Sequence, residues 1–173
     1  MAISLYDATV AGFIRTVMAL EGVLAKGVTH CETAGIDAAS VVDTRVHADM
    51  LPFRYQVVAM TQHSVGAING ARAGVFTPPS GLKSHDYKDL QALLAEARGS
   101  LEAMSPDEIN ALEGRDMEFR MGAMVMPFTV EAFLLSFSVP NFHFHAATAY
   151  GILRAKGVPL GKRDYLGQLP IRG

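Results

Sequence analysis

Residues 129–157 have the sequence TVEAFLLSFSVPNFHFHAATAYGILRAKG and carry the start and stop signals of one long helix. Thr129 is a favourable N-cap, and Gly157, with a proline two residues later, is a typical helix end. Pro140 lies inside this segment, where its ring removes one backbone hydrogen bond and clashes with the carbonyl four residues earlier. We therefore predict a helix from Thr129 to Lys156 that is kinked at Pro140.

Three earlier segments have apolar residues at the same helical spacing. They extend from Leu5 to Thr33, ending near Gly35, from about Leu51 to Ala73, and from Tyr87 to Met104. Each is long enough to cross a small domain, and connections of this length are typical of helices packed side by side. The sequence therefore predicts four long helices.

The second of these segments contains glycine at four-residue intervals, Gly66, Gly70 and Gly74. Glycine inside a helix costs about 1 kcal/mol relative to alanine, so a compensating interaction is expected. Close approach of a neighbouring helix or of a second subunit is the predicted reason.

Shorter elements are predicted between the long helices. Asp37 is placed to cap a short helix that ends at Val42. Val75–His85 contains two prolines and a glycine and is predicted to be a loop. Ser105 and Glu108 have the spacing of a capping box, which predicts a short helix ended by a glycine.

Asp116–Thr129 is the one segment with strand character. Its apolar residues Met117, Phe119 and Met121 alternate with charged ones and precede a glycine turn at Gly122. The predicted fold class is all-α: a single domain over residues 1–173, folded as an up-and-down four-helix bundle with a small β-hairpin before the last long helix.

Composition restricts the function classes. Half of the 173 residues are hydrophobic, which supplies one continuous core, and only 18% are charged. The formal net charge is −2 and the basic residues are scattered, so a nucleic-acid partner is not expected. Cys31 is the only cysteine, which excludes an internal disulfide. A lone thiol without a recognisable signal peptide favours a cytoplasmic protein.

A membrane span is the alternative explanation for the weakly charged segment Met121–Phe142, which is long enough on paper to cross a bilayer. Pro127 and Pro140 interrupt it, Glu131 lies within it, and no cluster of lysine or arginine flanks it. A buried core helix is therefore predicted, with no membrane partner.

Histidines are the residues most able to carry chemistry, and the chain has six, His30, His47, His63, His85, His143 and His145. At 100° per residue, His143 and His145 differ by about 200° around a helix and cannot bind one ion together. In a strand, both side chains could bind one ion. Asn141 and His145 are four residues apart and lie one above the other on one helix face.

His63 lies near the middle of the second long helix, beside its apolar stripe. A histidine there can meet a partner from another helix, which is how metal sites in helix bundles are assembled. His47 lies sixteen residues earlier, on the order of 24 Å along a continuous helix, and cannot share that site. A core-edge histidine bonded to backbone or water is the alternative for His63.

The order of these segments resembles a known family. The segments concerned are Ser4–Asp7, the mid-helix His63, the Pro-Asn-Phe-His-Phe-His run at 140–145, and Gly-Val-Pro-Leu-Gly-Lys-Arg-Asp at 157–164. Together they resemble the DinB/YfiT-like metalloenzyme superfamily, and more closely a bacterial and fungal branch of unknown function. The resemblance covers nearly the whole chain, and its last two segments are the most specific.

The resemblance implies a four-helix bundle, commonly a homodimer, that holds a divalent metal such as zinc, nickel or manganese with three histidines. Carried over by position, the ligands fall on His63, Asn141 and His145. The chain thus has asparagine where the family has its middle histidine, and an amide oxygen is a poorer zinc or nickel ligand than imidazole. His143 could replace it only if a kink or a π-bulge rotates the helix.

Two functions remain open at this point. The resemblance implies a metal-dependent transferase or isomerase that uses a thiol cofactor and acts on a small molecule. The alternative is a non-enzymatic homodimer or small-molecule-binding protein in which His63, Asn141 and His145 form a buried hydrogen-bond network. The two differ in metal content. Separately, Lys162–Asp164 is predicted to hold the last segment of the chain on the bundle.

Overall fold

The structure, a computed structural model, describes residues 3–78, 81 and 84–171. Residues 79–80 and 82–83 belong to the predicted loop Val75–His85, so that part of the prediction lies outside the described residues.

Four long helical segments form the frame of the molecule. Segment A consists of α1 (Leu5–Ala8) and α2 (Val10–Ala34), segment B of α4 (Phe53–Thr61), the π-helix π1 (Gln62–Gly66) and α5 (Ala67–Ala73), segment C of α6 (Tyr87–Glu102), and segment D of α8 (Val130–Phe133), the π-helix π2 (Leu134–Ser138) and α9 (Val139–Ala155). The shorter helices are α3 (Ala38–Val42), α7 (Pro106–Asn110) and α10 (Lys162–Leu166), and the strands are β1 (Val75–Phe76), β2 (Asp116–Met121) and β3 (Met124–Thr129). The chain is therefore mainly helical, with a small three-stranded sheet.

Helix ends follow the sequence signals in most places. Thr129 accepts a hydrogen bond from the amide of Ala132 at the start of segment D, and Asp37 caps α3 in the same way. Gly35 ends α2 in the left-handed conformation, with φ +65°. The predicted capping box of α7 is wrong, since the Ser105 side chain makes no capping bond. Its expected partner forms an ion pair with segment B instead.

The packing of the four long segments explains why each has an apolar stripe. A contacts C, C contacts B, B contacts D, and D contacts A. Among the described residues, segment A is the one helical segment long and apolar enough to span a membrane by length and composition, but half of its most apolar window is buried inside the fold. Phe13 of segment A and Phe142 of segment D meet in the core with ring centroids 4.7 Å apart. Burial against the other segments therefore accounts for the apolar stripe of segment A.

The sheet confirms the predicted hairpin and adds one strand that was not predicted. β2 and β3 are antiparallel, with Met121 opposite Met124 across a two-residue turn that begins at Gly122. β1 pairs in parallel with β2, so that Phe76 lies opposite Phe119. A strand of two residues is too short to show the alternating pattern from which strands are predicted.

The new strand corrects the interpretation of the glycines in segment B. A Cβ atom at Gly70 would lie 2.9 Å from the Cβ of Phe76 and 3.1 Å from the carbonyl oxygen of Val75. The close neighbour is thus β1 of the same chain, and not another helix or a second subunit. Gly74 ends the segment with φ +76°, and a Cβ at Gly66 would meet only the side chain of Gln62.

Substitution Gly70→Ala is expected to lower the free energy of unfolding by about 1–3 kcal/mol, because the added methyl group collides with strand backbone. Urea denaturation measures the change. Gly22→Ala in segment A is the matched control, since its Cβ would meet nothing within 4 Å. The control should be neutral or stabilising by up to about 1 kcal/mol. Equal effects of the two substitutions would contradict the assigned contact.

Segment D accommodates Pro140 by a local change of helix type. The π-helix π2 ends at Ser138, two residues before the proline, and the amide of Val139 donates to the carbonyl of Leu134. Pro140 consequently lies in the first turn of α9, where its missing amide proton is not needed. The other π-helix, π1, lies in segment B, and neither π-helix was predicted. Such segments occur often at functional sites, and here π1 carries His63.

Candidate histidine site

Two of the six histidines lie together where segments B and D pack. The ring centroids of His63 in π1 and His145 in α9 are 5.9 Å apart, and the ring planes are inclined by 13°. Both side chains are half-buried. The structure thus brings together two of the three residues predicted to form the site.

The bonding of Gln56 defines the protonation of His145. The Gln56 amide nitrogen donates to the carbonyl of Leu51 at 2.8 Å, which directs the amide oxygen toward His145. The distance from that oxygen to Nδ1 of His145 is 2.8 Å. An amide oxygen only accepts hydrogen bonds, so Nδ1 of His145 carries the proton and Nε2 carries the lone pair.

Ser138 defines the protonation of His63 by the same reasoning. The buried Ser138 hydroxyl donates its only proton to the carbonyl of His63 at 3.2 Å. Its oxygen lies 3.3 Å from Nδ1 of His63 and can only accept there. His63 therefore donates from Nδ1 and also leaves its lone pair on Nε2.

These two interactions form a reciprocal pattern. Gln56 precedes His63 by seven residues in segment B, and Ser138 precedes His145 by seven residues in segment D. Each polar residue bonds the histidine of the opposite segment. The crossed pairing requires the two segments to be antiparallel here, and it orients each ring from the neighbouring helix.

Burial keeps both rings neutral. It lowers the pKa of His63 to about 4, with a further contribution from His145, and burial alone lowers the pKa of His145 to about 4. Two imidazolium ions this close would also repel each other. At neutral pH the site therefore offers two uncharged imidazoles, and no donor among the described residues bonds either Nε2.

Asn141, the third predicted residue, lies on the same face of segment D. It follows Ser138 by three residues and precedes His145 by four, and both of these contact His63. Its amide nitrogen donates to the carbonyl of Phe137 at 2.7 Å. That bond uses one of the two amide protons and leaves the amide oxygen, the only acceptor of the side chain, available.

Aromatic rings surround the pair. Phe76 and Phe137 lie against His63 at centroid distances of 5.6 and 5.7 Å, and Tyr55 lies 5.9 Å from His145. These rings reduce the access of water to the histidines and account for the desolvation that lowers both pKa values. Phe76 belongs to the unpredicted strand, so β1 also contributes to the site.

His143 lies elsewhere, as helix geometry predicts. Its Nδ1 is 3.2 Å from the hydroxyl of Tyr165 in α10, and burial together with the charge of Arg15 lowers its pKa. The π-helix π2 ends before residue 139, so the α-helical relation between His143 and His145 is preserved. Among the described residues, no three His, Cys, Asp or Glu side chains cluster closely enough to hold a metal.

The neutral pair makes the stability of the metal-free protein depend on pH. An unfolded histidine titrates near 6.5 and these two near 4, so between those values the unfolded state binds more protons. Stability is therefore expected to fall as the pH is lowered from about 6.5 to about 4. Because the rings are partly exposed and coupled, the loss is on the order of 2 kcal/mol.

Urea denaturation across this pH range, in the presence of a chelator, measures the loss. His145→Gln should make stability depend less on pH, because it removes one of the two titrating imidazoles and the repulsion between their charged forms. A stability that rises on acidification would show that the rings are protonated in the folded protein.

Comparison with known proteins identifies the fold and then the family. The chain is similar to a crystal structure of a DinB family member from Shewanella denitrificans, with a TM-score of 0.80 and 25% sequence identity over 98% of this chain and 95% of that one. The molecule thus has a DinB-like fold. Residues 5–166 match the family described as Domain of unknown function (DUF1993), and the chain belongs to this family. No curated protein matches it.

Proposed function

We propose that this protein is a DinB-like four-helix bundle that binds one divalent metal ion at an altered site formed by His63, Asn141 and His145. The observation that carries the proposal is the crossed bonding of Gln56 and Ser138. It holds two neutral imidazoles side by side with both Nε2 lone pairs free of protein donors.

The contacts between the long segments support the bundle. Each of A, B, C and D contacts two others in a closed ring. The crossed pairing makes B and D antiparallel. In an up-and-down bundle the second and fourth helices run parallel, so the predicted up-and-down order is wrong, and the segments follow one another around the bundle as A, C, B and D. Sites in such bundles are built from side chains that face inward on neighbouring helices.

The donors fit zinc or nickel better than manganese, because imidazole suits the first two ions and manganese prefers oxygen ligands. Metal-bound histidines are neutral and usually donate their other nitrogen proton to an oxygen acceptor, as both rings do here. Bonds between zinc and imidazole nitrogen are about 2.0–2.1 Å long, and a separation of 5.9 Å between the ring centroids is compatible with two imidazoles that share one ion. The Asn141 oxygen is a weak third donor, and modest affinity follows.

A metal held by so few protein donors has open positions and acts as a Lewis acid toward a bound small molecule. The residues of this chain would contribute orientation and exclusion of water. Gln56 and Ser138 hold the rings, and Phe76, Phe137 and Tyr55 give the site apolar walls. A thiol-dependent transferase or isomerase reaction at this site remains a prediction from the family resemblance.

A structural hydrogen-bond network is the second candidate, and one observation favours it. The Asn141 amide already bonds the backbone of its own helix, and both Nδ1 atoms are satisfied without a metal. In that case His63 and His145 would stabilise the packing of segments B and D and no ion would bind.

Metal content separates the two candidates. Purified untagged protein would be dialysed, loaded with zinc, nickel or manganese, and analysed for bound metal. We expect one ion per chain, lost in His63→Ala and in His145→Ala. His143→Ala is the matched control, since it removes a half-buried histidine of segment D that faces elsewhere. Circular dichroism verifies that each variant is folded. Absence of stoichiometric metal under every loading condition would leave the structural network as the function of the pair.

A further inference from the structure

A cavity that neither His63 nor His145 lines is formed between α2 and the residues that follow α10. It encloses about 580 Å³ between the helix turns at 11–19 and the segment Gly167–Pro170. This volume is within the usual range of sites for small molecules, about 300–1,000 Å³. We call residues 167–170 the wall segment.

The walls of this cavity are largely apolar and partly exposed. Met18 of α2 is 45% exposed and Leu169 of the wall segment is 46% exposed, and Ile14 lines the space between them. Removing large apolar side chains from water by covering them with an apolar molecule is favourable. A hydrocarbon chain is therefore the kind of group that this surface accommodates.

Arg15 places a positive charge at this apolar surface. Among the described residues it is the only charged one that lines the cavity, and none of their carboxylates pairs with it. Its guanidinium remains protonated at any physiological pH and presents a planar fork that matches a carboxylate.

Helix α10 and the first residue of the wall segment are held against α2. Helix α10, which precedes it, is joined to α2 by the ion pair of Lys26 and Asp164 at 2.7 Å. This pair confirms the predicted role of the 162–164 segment. At Gly167, with φ +65°, a Cβ would lie 3.2 Å from the Cβ of Ala19 and 3.3 Å from the carbonyl oxygen of Arg15. The backbone there thus packs directly on the helix.

From these features we propose that the cavity between α2 and the wall segment binds a small amphipathic carboxylate. The carboxylate pairs with Arg15, and the apolar chain lies against Ile14, Met18 and Leu169. The site is separate from the histidine pair and does not depend on the metal proposal.

Isothermal titration calorimetry with decanoate tests the proposal, with decanol as the uncharged ligand of equal chain length. Wild-type protein should bind decanoate at one saturable site. Arg15→Gln should weaken this binding about tenfold or more and leave the affinity for decanol nearly unchanged. The matched control is Arg163→Gln, which removes the same charge from an exposed position of α10 that does not line the cavity.

A second variant keeps the test decisive. Met18→Glu places a carboxylate at an exposed position of the same surface, so it should abolish decanoate binding without affecting the fold. Unchanged affinity in Arg15→Gln, or no binding by the wild type, would overturn the proposal. A dimeric wild type that does not bind decanoate and that Met18→Glu dissociates would also overturn the proposal. In that case the surface would be a contact between two copies of the chain.

Discussion

Asn141→His is expected to raise the affinity for zinc or nickel on the order of 100-fold, because it replaces an amide oxygen by a third imidazole on the face that carries His145. The change restores the pattern of three histidines that the family resemblance implies. Asn141 is half-buried, and the four-residue spacing to His145 places both rings on one side of α9. Competition with a chromophoric chelator measures the affinity of both proteins.

Ala147→His is the matched control for this gain. Residue 147 is exposed and lies about 200° around the helix from His145, so a histidine there adds an imidazole without adding a ligand. Equal gains from the two substitutions would show that the added histidine binds metal at the surface. No gain from Asn141→His in a folded protein would contradict the assignment of residue 141 to the site.

The largest effect on stability is expected from Phe142→Ala, which should lower the free energy of unfolding by about 3–5 kcal/mol. Phe142 is fully buried and its ring packs against Phe13 at 4.7 Å, at the contact of segments A and D. Truncation leaves a cavity that the surrounding helices cannot fill completely. For a chain of this length the melting temperature should fall by about 10 °C, as differential scanning calorimetry would measure.

Phe144→Ala is the matched control, since it truncates a second phenylalanine of α9. Phe144 is 56% exposed, so its truncation removes little buried surface and should cost less than about 1 kcal/mol. A similar loss in both variants would mean that the orientation of α9 differs from the one described.

The elements that could be predicted from the sequence are those with a repeating signal. The apolar stripes of segments A to D and the alternation in β2 extend over several residues, and both were confirmed. The N-cap at Thr129 is a single-residue signal that was also confirmed. Strand β1 has two residues and owes its existence to pairing with β2, so no local pattern indicates it. The π-helices depend on how segments B and D pack, since their residues are also compatible with an α-helix.

The candidate site was predictable to a similar degree. The helical spacing separated His143 from His145, and the family resemblance placed His63 and Asn141 beside the latter. Gln56 was missed, although a polar residue on the inner face of a helix seven positions before a histidine is a usable signal. Ser138 has the same spacing to His145. Their crossed partners follow only from the antiparallel packing of the two segments, which a single sequence does not specify.

Histidine side-chain NMR on ¹⁵N-labelled protein is the most direct test of a metal site at His63 and His145, because it distinguishes Nδ1 from Nε2 in each ring. In the metal-free protein at pH 7, we expect neutral rings protonated at Nδ1 for both residues. Addition of one equivalent of zinc should shift the Nε2 signals of these two residues and leave His143 unchanged. Rings protonated at Nε2, or zinc shifts confined to other histidines, would contradict a metal site built on this pair.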